Sequence, residues 1–290
     1  MRNKIILLFL IFRISSGLSQ TPRPFKEEFR FAEHLINQKL YSEGIYLLDK
    51  LRSSNDYSPG KIDTINYLLG KIYYNQQKLA TSSNYFSQVR TLNIKYWQES
   101  SFFSAFNQAY SGNYRMARKN LDSRYFKDEM MVQLKNFQSA GFALLNRNYQ
   151  RFDSLSSQFQ ESYFQFAKQE GQLIEYFHDI KSYKKKSGFI AAMLSAVIPG
   201  SGKIYAGKTG QGLSNLFKSL ILGGLVFESY KQAGTDSAKF IAFSSVFSIF
   251  YVANIWGSAL TVKVKRNEFH DAVDRKILFD LHIPLRTIFH

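Results

Sequence analysis

The chain has 290 residues, with 38 Lys and Arg against 22 Asp and Glu and a net charge of +16. It contains no cysteine, which excludes a disulfide scaffold, a thiolate zinc site, a cysteine nucleophile and a lipid-modified N-terminal cysteine. Hydrophobic residues at 45% and charged residues at 21% exclude a disordered polyampholyte.

The chain opens on an address. Arg2 and Lys4 precede an unbroken apolar run over residues 5–12, Arg13 interrupts it, and residues 15–19 are small and polar apart from Leu18. Gly17 and Ser19 fit the small-residue rule before a cleavage site. This pattern predicts a secretory signal peptide over residues 1–19, with an uncleaved anchor as the alternative because Arg13 sits late. Pro22 and Pro24 give a stiff exit. A bacterial periplasm is the expected compartment.

Residues 25–180 show internal periodicity. Four blocks align: Ala32, Leu35, Tyr41, Gly44 and Leu48; Gly70, Tyr73, Leu79, Ser82 and Phe86; Ala105, Gly112, Tyr114, Ala117 and Leu121; and Ala140, Ala143, Tyr149 and Phe152. Their starts are 38, 35 and 35 residues apart. A small residue (Gly70, Ala105, Ala140) lets the first helix of a pair approach its neighbour. An aromatic (Tyr41, Tyr114, Tyr149) closes the turn, and a second small residue (Gly44, Ser82, Ala117) sits where the second helix crosses the first. On these residues, best in segments 67–79 and 109–121, the region resembles the tetratricopeptide repeat family, whose period is about 34. An irregular helical bundle is the alternative.

The resemblance implies stacked helix pairs with a concave surface for a protein or peptide, and no chemistry of their own. Groove residues in such repeats come from the first helix of each pair. The resemblance therefore places Glu33, Tyr67, Lys71, Tyr74, Phe102 and Phe106 in the groove. The competing reading of Phe102 and Phe106 is simple packing between repeats. The charge pattern that captures a C-terminal carboxylate in some relatives is not visible, so no ligand class follows.

Composition shifts at residues 181–186 (KSYKKK), and residues 187–262 read as a membrane domain. Residues 188–202 have no charge, residues 210–227 have one (Lys218), and residues 240–260 have none. The last stretch is long enough to cross a bilayer core, and the second is a crossing if Lys218 snorkels or faces another helix. The first is broken at Pro199-Gly200 and reads as re-entrant, interfacial or a half-helix. A buried soluble hairpin is the alternative. Residues 21–180 carry 20 basic and 16 acidic groups, net +4, whereas residues 181–290 carry 15 and 6, net +9. The excess flanks the apolar segments, so anionic membrane lipids are the expected partner of residues 184–186, Lys263, Lys265 and Arg266, and nucleic acid is not.

Residues 202–209 satisfy G-x-x-x-x-G-K-T, the phosphate-cradling loop of nucleotide hydrolases, with Lys208 and Thr209 in the phosphate and Mg²⁺ roles. No α/β alternation and no apolar strand ending in Asp accompany it. The same stretch, SAVIPGSGKIYAGK over 195–208, looks like the P-G-x-G-Q-x-Y-x-G signature, followed by Lys or Arg, of small bacterial membrane domains of unknown function. These often follow tetratricopeptide-like regions in envelope proteins of Bacteroidota-type bacteria. Pro199, Gly200, Gly202, Tyr205, Gly207 and Lys208 match, and Lys203 departs from the usual Gln. Tyr251, Asn254, Ile255, Gly257 and Ser258 resemble the second half of such domains. The resemblance implies a helical membrane hairpin and no activity. Asn254, costly in lipid unless bonded, is expected to contact the turn over residues 199–207.

Residues 263–290 read as a short amphipathic tail helix ending near Pro284. No G-x-S-x-G, H-E-x-x-H or dinucleotide fingerprint is present. The adjacent pairs His178-Asp179 and His270-Asp271 do not face each other on a helix. The sequence thus predicts an all-α, tetratricopeptide-like solenoid followed by a transmembrane helical hairpin. It reads as a non-enzymatic scaffold without cofactor or metal, at the inner membrane with its repeats in the periplasm. Two alternatives remain: a nucleotide-binding membrane protein, and a purely structural, self-associating component.

Overall fold

Helix starts and stops follow local chemistry in this computed structural model, which describes residues 25–53, 57–160 and 162–289. The segment expected as a signal, residues 1–19, lies outside the described residues. Thirteen helices and no strand occupy the described residues. The first eight are α1 (Phe25–Asn37), α2 (Tyr41–Ser53), α3 (Pro59–Asn75), α4 (Leu79–Ser87), α5 (Ile94–Tyr110), α6 (Tyr114–Asp122), α7 (Glu129–Leu145) and α8 (Tyr149–Ser156). Pro59 opens α3 where its missing N–H costs nothing. Asn93 and Asp128 cap α5 and α7 by accepting from the Tyr96 and Met131 N–H groups at 3.2 and 3.0 Å.

The turns inside successive pairs are built alike. Lys39, Gln77, Gly112 and Arg147 all have positive φ, at 62°, 60°, 81° and 57°. They stand 38, 35 and 35 residues apart, the spacing of the sequence blocks. In the first three turns, this residue donates to a carbonyl three residues back, and the next residue donates to one five back, as in Lys78 N–H to the Tyr73 oxygen at 2.9 Å. This double closure satisfies the last carbonyls of the first helix and reverses the chain in three residues.

The chain divides into two compact units. One holds residues up to 146 with 157–159 and 284–290; the other holds 147–156 and 160–283. In the first unit, Ala32, Leu48, Leu51, Ile65, Leu69 and Ile72 form one buried cluster. Each such aliphatic side chain contributes about 1.5–3 kcal/mol by leaving water. A Cβ on Gly70 would lie 2.5 Å from the Phe86 ring, and the Ser82 hydroxyl donates to the Gly70 carbonyl at 2.8 Å. The crossing of α3 and α4 therefore needs both small residues. Between α4 and α5 runs a polar seam, in which Ser83 and Ser104 meet at 3.0 Å and the Asn107 amide donates to Ser82 at 3.0 Å.

In the second unit, α8 packs on α9 (Ala167–Ser182) through Phe152 and Phe177, ring centroids 4.7 Å apart. Then follow α10 (Gly188–Val197), α11 (Ser201–Ala206), α12 (Thr209–Ala233) and α13 (Ala238–Phe289). The tail expected as a separate helix over 263–290 is instead continuous with the apolar helix, for α13 runs 52 residues and passes through Pro284. No Gly or Pro interrupts residues 258–283, and Val273, Ile277 and Leu281 form a buried stripe four residues apart, which rewards unbroken helix. Arg147 grips Asp274 with two bonds, at 2.7 and 2.9 Å, and Tyr176 donates to Asp280 at 2.6 Å. Among the described residues, α13 is the one helix long and apolar enough to cross a membrane by length and composition. The 25-residue α12, expected as a second crossing over 210–227, does not meet the same measure, because Gln211, Ser214, Asn215, Lys218 and Ser219 interrupt its apolar run.

Candidate functional site

The groove candidates fall on α1, α3 and α5, and the structure treats them unequally. Glu33 is exposed on α1. Tyr67 is buried, and its hydroxyl donates to Glu99 Oε2 at 2.6 Å. Lys71, one helical turn later, brings Nζ to 3.2 Å from Glu99 Oε1 and lies over the Tyr67 ring at 5.5 Å. Tyr67 also stacks on Tyr96 at 4.2 Å. Glu99 is thus a buried carboxylate with one hydroxyl and one ammonium on it, and it ties α3 to α5. The half-buried Tyr74 meets Phe103 edge-on at 4.9 Å.

Phe102 and Phe106 are interior and do not line an open groove. Phe102 is 0% exposed, stacked on Phe126 at 4.8 Å. The end of the chain completes this packing: within the first unit, Phe289 stands 5.8 Å from Phe102 and 6.3 Å from Phe103. The sequence reading missed it, because no periodicity links residue 289 to residues 102 and 103. Burial raises the Tyr74 phenol to about 12, with the positive charge of Arg286 opposing. Burial and then the bond to Glu99 push Tyr67 well above its ordinary value.

A phenol whose folded value is raised stabilises fully below the unfolded value of about 10, and the contribution is lost as pH climbs through the folded value. Wild type should therefore lose stability relative to Tyr67→Phe as pH rises above 10. Denaturant midpoints measured from pH 8 to 11.5 check this; parallel curves would refute it.

The second group of candidates, in the glycine-rich stretch over residues 199–208, forms a closely packed turn. Ser187 caps α10 by accepting from the Ile190 N–H. Pro199 and Gly200 end it, with Gly200 at φ 88°, and Gly207 ends α11 at φ 92°. A Cβ on Gly200 would run into the Gly212 carbonyl, and one on Gly202 into the Ala191 carbonyl. Backbone thus lies directly on backbone at both positions, which is why the motif needs glycine there. Tyr205 accepts the Ser187 N–H on its hydroxyl at 3.3 Å, and its carbonyl accepts from Lys186 at 2.6 Å. Lys208 pairs with Glu268 at 2.7 Å.

Asn254 makes its side-chain bond away from the turn. Its Oδ1 accepts from Asn215 on α12 at 2.6 Å, and its Nδ2 finds no partner among the described residues. Two serines reach the turn instead. Ser258 donates to the Asn254 carbonyl at 2.8 Å and meets Ser195 at 2.7 Å; Ser195 accepts the Gly202 N–H at 3.0 Å. The Tyr251 hydroxyl donates to the Ala196 carbonyl at 2.5 Å. Hydroxyls inside apolar runs are the sequence signal for such bonds, but the signal does not name the partner.

The G-x-x-x-x-G-K-T stretch offers no ring of free N–H groups. Gly202 donates to Ser195, Lys203 and Ile204 to the Gly200 carbonyl, Gly207 to Ile204, Lys208 to Lys203. A phosphate cradle needs those donors converging on one point; here a short helix consumes them. Among the described residues, no three His, Asp or Glu side chains group as a metal site. Comparison with family models, curated proteins and solved structures found no match to this chain.

Proposed function

We propose that this chain is a membrane-anchored scaffold of a bacterial envelope. Its helix pairs act as a tetratricopeptide-like array that holds a protein or peptide partner. Helices α10 to α13 form a hairpin domain at the inner membrane, and the array faces the periplasm without catalysing a reaction. One observation carries the reading: four turns with a positive-φ residue, spaced by 38, 35 and 35 residues, share a chain with a helix long and apolar enough to cross a membrane.

Further support comes from the apolar surface of the second unit. Phe189, Ile249 and Trp256 are 74%, 72% and 69% exposed, and Val197, Phe217 and Ile221 join them. Exposed apolar side chains this dense on neighbouring helices suit lipid better than water. The Asn215–Asn254 bond supports reading α12 and α13 as a pair, since polar groups in an apolar setting are stabilised by bonding across helices. The N-terminal pattern of charge, apolar run and small residues supports export.

Glu33, Lys71 and Tyr74 are the groove candidates that are not buried. A photo-reactive residue at each in turn, in the full chain in cells, should give a discrete crosslinked protein. The same residue at Tyr125, a 79% exposed position on the α6–α7 connection, should not. Equal or absent crosslinking at all four positions would overturn the scaffold reading.

A further inference from the structure

Three segments far apart in sequence meet at one end of the apolar helices. Tyr183 stacks on Phe269 with centroids 4.3 Å apart. Lys186 bonds the Tyr205 carbonyl at 2.6 Å and lies 5.3 Å over its ring. Lys208 and Lys265 share Glu268, at 2.7 and 3.3 Å. Tyr183, Lys186, Ala206, Val262, Lys265 and Arg266 line one shallow depression where these segments meet. Lys186, Lys208, Lys265 and Arg266 therefore gather into a single collar around Glu268, and Lys184, Lys185 and Lys263 adjoin it in the chain. The sequence shows two separate basic flanks; the fold makes them one.

The apolar surface begins where the collar stops. Phe189 and Ile190 follow Lys186, Leu213 follows Lys208 and Leu260 precedes Lys263, and all four are exposed. The other end of the α12–α13 pair is balanced, with Glu228 and Asp236 against Lys231 and Lys239. A cationic ring bordering an apolar belt, with tyrosines between, matches the headgroup level of a bilayer. Lys208 and Lys265 are held by Glu268, and Lys186 by Tyr205. These contacts fix the collar and leave Lys184, Lys185 and Arg266 exposed on it.

We propose that this collar is a binding site for the phosphate headgroups of anionic phospholipids, at one end only of the membrane domain. The proposal rests on the membrane reading given above. It also explains why the motif turn is so tightly built: α11 and its glycines hold Tyr205 and Lys208 beside residues 183–186 and 262–268.

The test uses the full chain in nanodiscs of phosphatidylcholine with and without phosphatidylglycerol, with retained lipid read by native mass spectrometry. Wild type should retain phosphatidylglycerol selectively. The triple variant Lys184→Gln, Lys185→Gln, Arg266→Gln removes three surface charges and should lower that preference by up to about a hundredfold, from roughly a factor of several per charge. The control Lys231→Gln, Lys239→Gln should keep it. No preference in wild type, no loss in the triple variant, or equal loss in the control would each overturn the proposal. So would displacement of the retained lipid by millimolar inorganic phosphate, which would mark a free-anion site. Matched unfolding midpoints in detergent show that the variants fold. Failure of the chain to enter nanodiscs at all would sink the membrane reading itself, whereas loss of lipid preference alone leaves partner crosslinking at Lys71 unaffected.

Discussion

Phe102→Ala should destabilise the first unit by about 3–5 kcal/mol, the range for emptying a buried phenylalanine site. Phe102 is fully enclosed, stacked on Phe126 and capped by Phe289, so the cavity has no side open to refill. For a unit of this size, that is a fall in melting temperature on the order of 10 °C. Trp97 reports it directly, because its ring lies 5.1 Å from Phe126. Glu33→Ala, at an exposed position, should change stability by less than about 0.5 kcal/mol. If Phe102 were instead a groove contact, its removal would leave the unfolding midpoint near wild type and weaken only partner binding. The two readings of Phe102 therefore give opposite results in one measurement.

Gly202→Ala should unfold or misassemble the turn between α10 and α12. A methyl group there collides with the Ala191 carbonyl, a backbone atom on the facing helix that cannot rotate aside, and stands 2.7 Å from the Ser195 hydroxyl. Overpacking of this kind costs about 1–3 kcal/mol and more where the obstacle is rigid. Gly200→Ala adds backbone strain, since φ is 88° and the Gly212 carbonyl occupies the space; that conformation alone costs an L-residue about 1–2 kcal/mol. Gly210 supplies the control, because a Cβ there meets nothing within 4 Å. Gly210→Ala, in the first turn of α12, should be neutral or stabilising by up to about 1 kcal/mol. Protease resistance and unfolding in detergent measure all three. A Gly202→Ala protein as resistant as wild type would mean that α10 and α11 do not approach as closely as described.

The glycine turn shows what is legible in the sequence. Glycine at 200, 202 and 207 stands out in the sequence; the need for it is backbone contact at 200 and 202 and a positive φ at 207, which a motif records at the right positions. The small residue at position 70 is legible in the same way: Gly70 faces Phe86 because α3 and α4, adjacent in the chain, cross there. Local rules set such contacts, and local rules leave periodic marks.

Phe102 was not legible in this way. An aromatic on the first helix of a pair fits either a groove or a core, and only a distant segment decides between them. Asn254 is a similar case. Its cost in an apolar setting demands a bond, but Asn215, Ser195 and Ser258 all stand at spacings that allow one, and packing assigned it to Asn215. The tail misled for a different reason. Its polar composition suggests a separate element, but no breaker separates it from the apolar run, and the buried stripe of Val273, Ile277 and Leu281 continues the helix.

The sequence by itself determined the all-helical composition, the period of the turns, the glycines of the motif and the apolar stretch of α13, because each depends on residues a few positions apart. The tertiary structure decided which aromatics are interior, where Asn254 bonds, that the phosphate-loop pattern is spent on a short helix, and that two basic flanks close into one collar. All of these but the phosphate-loop outcome depend on contacts spanning tens to nearly two hundred residues, for which a single chain carries no periodic signal.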